Sequence, residues 1–439
     1  RGLWPADVEA AIDYGGWIQL WQCRAGVGGS IREEAQCRRC GSYDIALFPC
    51  SACGRSDCPV CLCCQTLGMV RGCTPLLQLQ SGEAGQSCRP VRLQLEFRLT
   101  SAQAAASRFL TEWLCGNQPL AVVWAACGAG KTETVFAAMQ RVLMQGGQVL
   151  FAIPRRDVVA EMEARLRKAF PDVPLAVLYG GRKDSCDVPL IAATTHQVLR
   201  FHRRFDLVVL DEVDAFPYHG SEMLRYGMDQ AVKEGGKRIE MTATPISWPV
   251  RVPSVTIPAR HHGYALPEPV LIRWNQSLSS GPPWRLPPSL VGIMRDSRDP
   301  WILFCPTRKT CESVAAWFQD CMGIRTEFCH SQSQGREGLL ERLKTGQLKY
   351  AAATSVLERG ITVPGVQVVV LWADHDVFSA RSLVQMAGRV GRTAAKPKGM
   401  VWFAAKGWSG SMREAKRRIQ FLNSQAAEQG LLTGGELQC

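Results

Sequence analysis

Leu120-Ala121-Val122-Val123-Trp124-Ala125-Ala126-Cys127-Gly128-Ala129-Gly130-Lys131-Thr132 decides how the rest of this chain is read. Leu120–Trp124 is an uninterrupted apolar run with the character of a buried strand, and a helical period over Thr132–Gln145 follows it. A strand, a glycine-rich turn and a helix opening on Lys-Thr form the context in which a loop cradles phosphate. Gly128 and Gly130 let backbone N–H groups close around phosphate oxygens, with Ala129 between them. The helix N-terminus adds its positive dipole end. Lys131 is placed to reach β- and γ-phosphates, and Thr132 offers a hydroxyl to Mg²⁺.

The alternation of strand and helix continues downstream. Apolar runs at Val149–Ile153, Leu190–Ala193, Leu207–Leu210 and Arg238–Met241, with a helical period at Asp157–Phe170, predict a parallel sheet covered on both faces. A second series, Trp301–Cys305, Tyr350–Ala353, Val366–Leu371 and Met400–Ala404, predicts another α/β lobe. Leu278–Pro288 is rich in Ser, Gly and Pro and reads as a linker. The expected organisation is a cysteine-rich domain over 1–95, a first lobe over 96–277, a linker over 278–288 and a second lobe over 289–439.

Composition agrees with a multidomain globular protein. The chain has 439 residues, 46% hydrophobic and 21% charged, which excludes a disordered or fibrous chain. The longest candidate for a membrane span, Leu114–Gly130, contains Asn117, Gln118, Pro119 and several glycines, so no spanning helix is expected. The start, Arg1-Gly2-Leu3-Trp4, has no methionine or secretory pattern and reads as the start of a fragment. Net charge is 51 − 39 = +12, and residues 285–439 contribute 21 − 13 = +8 of it, which points to an anionic partner. Of 19 cysteines, 11 fall between Cys23 and Cys88. Repeated C-x₂-C spacing there indicates metal binding rather than disulfides, with Zn²⁺ the expected ion.

Two further motifs carry chemistry. The apolar strand before Asp211-Glu212-Val213-Asp214 places Asp211 where a carboxylate holds Mg²⁺ and Glu212 where one orients or deprotonates water. Gln385-Met386-Ala387-Gly388-Arg389-Val390-Gly391-Arg392 places Arg389 and Arg392 three apart, expected on one helical face, as arginine fingers for a γ-phosphate.

Taken in order, these segments resemble the superfamily-2 helicases and translocases, in whose phosphate loops Ala occurs where Ala125 stands. The resemblance implies two tandem RecA-like lobes of the P-loop NTPase type behind a small zinc-binding domain. It implies that Gln103 in Thr100–Gln103 reads adenine, with Glu133 and Gln385 at the same ATP site. It assigns Arg155, Thr195, His196, Thr307, Arg308 and Thr354 to the grip on a DNA backbone, and Thr242, Thr244 and Arg359 to coupling hydrolysis with lobe movement. Each DNA candidate could equally be a cap or an ion-pair partner. Trp284, Trp301 and Trp372 could stack on bases, but core packing is the preferred reading.

A narrower resemblance rests on CGAGKTE, TTHQVLRF, LDEVDAFPYHG, IPARHH, LPEP, LERGITVP and QMAGRVGR. Together they are similar to the ComFA family of late-competence DNA-uptake ATPases. That implies a DNA-stimulated ATPase using ATP, Mg²⁺ and Zn²⁺, peripheral to the cytoplasmic face of the membrane. Single-stranded DNA, the uptake channel and an accessory competence protein would be its partners, and an oligomer is compatible with it. The same resemblance favours Cys37, Cys40, Cys61 and Cys64 as zinc ligands, in the spacing C-x₂-C-x₂₀-C-x₂-C. Cys50, Cys53 and Cys58, with Cys63 as fourth ligand, remain available for a second site. Two other readings stand beside this one: a primosomal replication-restart helicase, and a zinc-ribbon nucleic-acid adaptor with a degenerate motor.

Overall fold

The computed structural model describes residues 21–25, 27–28, 35–73, 75–79, 90–244, 252–282, 284–358 and 362–433. They divide into two compact units. One lies within Arg1–Arg98, Ser107–Val123 and Thr132–Val255; the other lies within Leu99–Ala106, Trp124–Lys131 and Thr256–Cys439.

The first sheet has eight strands in the order Arg182–Lys183, Leu175–Tyr179, Leu190–Thr194, Val149–Ile153, Phe205–Leu210, Val232–Thr242, Leu120–Ala125 and Ser254–Ile257. Val149–Ile153 runs parallel to both Leu190–Thr194 and Phe205–Leu210, and the latter runs parallel to Val232–Thr242. Every residue of Val149–Ile153 and Leu190–Thr194 is buried, as an uninterrupted apolar run requires when helices cover both faces. The helix expected over 132–145 is broken in two at Val135, giving Lys131–Thr134 and Phe136–Met144.

The second sheet has six strands, ordered Pro269–Arg273, Val401–Ala405, Gln367–Leu371, Trp301–Phe304, Tyr350–Ala353 and Thr326–Cys329, with every neighbouring pair parallel. Its core is unusually aromatic. Trp274, Trp284, Trp301, Trp317, Trp372 and Trp402 pack in one cluster, and Trp301 stacks on Trp402 at 5.2 Å between centroids. Trp284, Trp301 and Trp372 are therefore core residues. Trp284 also anchors the Ser/Gly/Pro-rich segment, since its ring meets Trp372 at 5.0 Å.

The cysteine-rich region is built from short hairpins. Ile45–Phe48 pairs antiparallel with Cys58–Cys61, and Val27–Gly28 pairs with Gln36–Cys37. Its buried face shares one hydrophobic cluster with the first lobe, through Tyr218, Leu224 and Met228. Among the described residues, no helix is long and apolar enough to cross a membrane.

Candidate functional site

The phosphate loop leaves the end of strand Leu120–Ala125 and turns into Lys131–Thr134. Gly128 at φ 85° and Gly130 at φ 67° lie in the left-handed region, which costs a glycine little and an L-residue more. Ala129 N–H closes the turn onto the Ala126 carbonyl at 2.9 Å. These dihedrals give the tight glycine turn on which phosphate-cradling loops are built, which suits ATP. Gln103 is 1% exposed and supports the loop directly. Its Nε2 donates to the carbonyls of Ala129 at 2.8 Å and Gly130 at 3.3 Å, while Oε1 accepts from Thr100 N–H at 2.8 Å. Thr132 is buried, and buried Glu133 forms an ion pair with Arg165.

The Gln385–Arg392 segment lies in the same compact unit as the loop. Cys127 Sγ donates to Gln385 Oε1 at 3.6 Å. A Cβ on Gly388 would fall 2.5 Å from that of Cys127, so only glycine permits this approach. The arginines are not on a helical face. Helix Ala380–Ala387 ends before them, and Gly391, at φ 65°, turns the chain between Arg389 and Arg392. The correction follows from Gly388 and Gly391, which allow close packing and a left-handed turn that continued helix would not.

Three residues that sequence reasoning left without a role gather here. Arg260 is 2% exposed, and its Nη1 donates to the Gly391 carbonyl at 2.6 Å. Among the described residues its Nε and Nη2 have no hydrogen-bond partner, and burial lowers its pKa to about 10. His261 Nδ1 lies 2.9 Å from the Gly128 carbonyl, and His262 Nε2 lies 3.0 Å from that of Gly391. Burial, reinforced by Arg260, lowers the His262 pKa to about 4. Their IPARHH segment was visible as a motif, but nothing in its spacing identified a phosphate-side position.

The carboxylates follow strand Phe205–Leu210. Asp211 is buried, its N–H donates to the Ala152 carbonyl at 2.9 Å, and its Oδ1 accepts from Glu212 N–H at 2.7 Å. Glu212 sits at φ 53°, a conformation a non-glycine residue seldom holds and one often found where function requires it. Asp214 accepts from Thr242 Oγ1 at 2.8 Å and from Thr244 Oγ1 at 2.6 Å, so the acidic motif and the threonine motif form one buried network. Arg359 lies outside the described residues.

The DNA candidates follow strand ends in their respective lobes. Arg155 follows Val149–Ile153, and pairs with Asp157 at 3.3 Å. Thr195 and His196 follow Leu190–Thr194; Thr195 is fully buried, and burial lowers the His196 pKa. In the second lobe Thr307 caps helix Arg308–Met322, accepting from Thr310 N–H at 3.1 Å, and Arg308 is exposed. Thr354 follows Tyr350–Ala353. In open parallel sheets this carboxyl edge is where ligands bind.

Among the described residues, two cysteine clusters stand in the N-terminal region. Cys37, Cys40, Cys61 and Cys64 converge, all buried, with Sγ–Sγ distances of 3.8 Å for Cys37–Cys64 and 3.6 Å for Cys40–Cys61. Zn²⁺ held tetrahedrally at about 2.3 Å requires sulfurs about 3.8 Å apart, so these residues fit the ion. Arg39 donates to Cys64 Sγ at 3.0 Å, a charge that offsets a tetrathiolate. The other set differs from expectation. Its fourth member is Cys73, not Cys63. Cys63 is exposed, 3.6 Å from Met223 Sδ, because the turn holding Cys61 and Cys64 in the first cluster directs the residue between them away.

Residues 96–247 match the family described as type III restriction enzyme, res subunit, and residues 287–394 match the helicase conserved C-terminal domain. Competence protein ComFA of Bacillus subtilis is 34% identical over 410 residues, 90% of this chain and 87% of that protein. ComFA of Streptococcus pneumoniae is 35% identical over 342 residues, 75% of this chain and 78% of the relative. Among solved structures, Dbp5 of S. cerevisiae bound to RNA and ADP BeF3 superposes with a TM-score of 0.53 at 18% identity, over 74% of this chain and 88% of that one. That likeness establishes the helicase-type two-lobe fold.

Proposed function

This chain belongs to the ComFA family of competence proteins, and we propose on that premise that it is a DNA-stimulated ATPase driving single-stranded DNA during uptake. It is a superfamily-2 helicase-type enzyme by its two matched domains. The observation that carries the finer reading is the linkage of Glu212, held at φ 53°, through the same short motif to Asp214, Thr242 and Thr244.

Bound MgATP supplies the transferable γ-phosphoryl group and the cation that neutralises its charge. The Gly128–Lys131 loop would hold the phosphates, Thr132 and Asp211 would hold the cation, and Glu212 would take the proton from the attacking water. Gln103 would keep the loop in register at the adenine end. Arg389 and Arg392 would meet the γ-phosphate. Arg155, His196, Thr307, Arg308 and Thr354 would contact the DNA backbone, which suits a motor indifferent to sequence, whereas Thr195 is too deeply buried to do so. The family name supports a place in the competence pathway, with the uptake channel and an accessory competence protein as partners at the inner face of the membrane.

The test is ATP hydrolysis with and without single-stranded DNA, for wild type, Lys131→Ala and Glu212→Gln. Stimulation by DNA is expected, with Glu212→Gln still binding nucleotide but about 10²–10⁴-fold slower. Wild-type turnover in either variant would refute the site. Turnover unaffected by DNA would refute the DNA-driven motor, and efficient unwinding of forked duplex would favour the replication-restart reading.

A further inference from the structure

We propose that Cys50, Cys53, Cys58 and Cys73 form a second structural zinc site, separate from the one at Cys37, Cys40, Cys61 and Cys64. The four sulfurs lie within 4.8 Å of one another. Cys50–Cys73 is 3.6 Å and Cys58–Cys73 is 3.7 Å. These are the edges of a tetrahedron with bonds of about 2.3 Å, and they match the first cluster. A disulfide would bring two sulfurs to about 2.05 Å.

The backbone repeats the same device. In the first cluster Gly41 N–H donates to the Cys37 carbonyl at 2.7 Å, and Cys37 N–H donates to the Ser42 carbonyl at 2.9 Å. In the second, Gly54 N–H donates to Cys50 and Cys50 N–H donates to Arg55, both at 2.9 Å. Gly41 and Gly54 have φ of 72° and 73°. Among the described residues nothing lies within 4 Å of where a Gly54 Cβ would be, so glycine serves the turn itself and not close packing. That turn aims both thiols of a C-x₂-C-G segment at one point.

The remaining ligands come from a shared strand. Cys58 and Cys61 end strand Cys58–Cys61 at an odd separation, which puts their side chains on opposite faces. One strand thus supplies Cys58 to the second cluster and Cys61 to the first. Cys73 is brought beside Cys58 by Gly72 N–H donating to the Pro59 carbonyl at 2.8 Å and by the bridge between Val60 and Arg71. The ligand order along the chain is interleaved: two for the first site, three for the second, two for the first, one for the second.

Hydrophobic burial does not hold this corner together. Tyr43, Leu47 and Phe48 are 60%, 46% and 45% exposed; of the four thiols, Cys50 and Cys58 are buried and Cys53 and Cys73 are exposed. A segment that leaves large apolar side chains exposed beside four converging thiols has the character of a region folded by metal. Four thiolates leave no open coordination position, so the role is structural.

Metal content of the full chain, purified without chelator and measured by elemental analysis, tests this. Two zinc ions per chain are expected for wild type and for Cys63→Ser, and one for Cys53→Ser and Cys73→Ser. Cys73→His should restore two, since Cys₃His is also a zinc set. Cobalt loading should give tetrahedral thiolate bands in wild type about twice as intense as in Cys73→Ser. One zinc in wild type overturns the proposal. So do two zinc ions retained in both Cys53→Ser and Cys73→Ser, or a non-reduced mass short by two hydrogens, which would mean a disulfide within the set.

Discussion

Thr244 donates its hydroxyl to Asp214 Oδ2 at 2.6 Å, and this bond ties the loop after one strand to the loop after its neighbour. Thr242 occupies the other oxygen at 2.8 Å and also accepts from Thr244 N–H at 3.0 Å. All three residues are buried. Displacement of Glu212 on hydrolysis would therefore be felt at Thr242 and Thr244 through two residues of backbone. Asp214→Asn removes the charge and leaves one acceptor. The expected stability loss is about 1.5–3 kcal/mol, the worth of a charge-assisted bond. Nucleotide affinity should stay near wild type while DNA stimulation of turnover falls. Unchanged stimulation, measured by steady-state ATPase, would separate the network from coupling.

Arg260 presents the opposite situation, a buried cation with incomplete satisfaction. Nη1 is bonded to Gly391, while Nε and Nη2 lack partners among the described residues, and the side chain lies beside Gly128. Burying a guanidinium without full pairing is costly unless an anion completes it. Arg260→Met should therefore melt at a higher temperature than wild type without nucleotide, and gain less from ATP. The expected loss of ATP affinity is roughly tenfold, from about 1.5 kcal/mol of charge-assisted bonding. Thermal melts with and without MgATP read both effects; a variant stabilised by ATP as much as wild type would remove Arg260 from the phosphate site.

Much of this is legible in the sequence. Continuous apolar runs such as Val149–Ile153 and Leu190–Thr194 are readable because both sheet faces are buried. Leu175–Tyr179 and Thr326–Cys329 escaped notice, the latter because Glu327 interrupts it and pairs with Arg342. The position of Arg389 and Arg392 after a helix, not on it, depends on how closely Gly388 approaches Cys127, a contact between residues far apart in sequence. Cys73 was missed for a similar reason. It has no C-x₂-C partner, and only the pairing of its neighbours with Pro59 and Val60 brings it to Cys50 and Cys58.

His262 gives its compact unit a pH dependence of definite sign. Its pKa is lowered from the usual 6.5 to about 4, burial being the largest cause and Arg260 the next. The unfolded chain therefore binds more protons at this residue between those values, so its contribution to stability is full above about pH 6.5 and falls as pH drops towards 4. His262→Gln should flatten the stability profile across that window and leave the slope above pH 7 unchanged. Denaturant unfolding of both proteins at a series of pH values measures this, and parallel curves would assign the slope to other groups.

The first cysteine cluster should stabilise more than its own hairpins. Its four thiols belong to the same buried cluster as Tyr218, Leu224 and Met228 of the first lobe, two of which lie on helix Glu222–Ala231. The closest approach is at the knuckle glycine: a Cβ on Gly41 would fall 2.5 Å from the Tyr226 ring, and φ is 72° there. Gly41→Ala thus meets both a strained dihedral and a clash with an aromatic ring. The two effects are separable, because Tyr226→Ala removes the clash and leaves the strain. Gly41→Ala should lower stability by at least about 1 kcal/mol from the dihedral alone. In the Tyr226→Ala background the cost of Gly41→Ala should shrink, a coupling readable in a double-mutant cycle. Strict additivity of the two substitutions would mean that the knuckle does not rest on that helix.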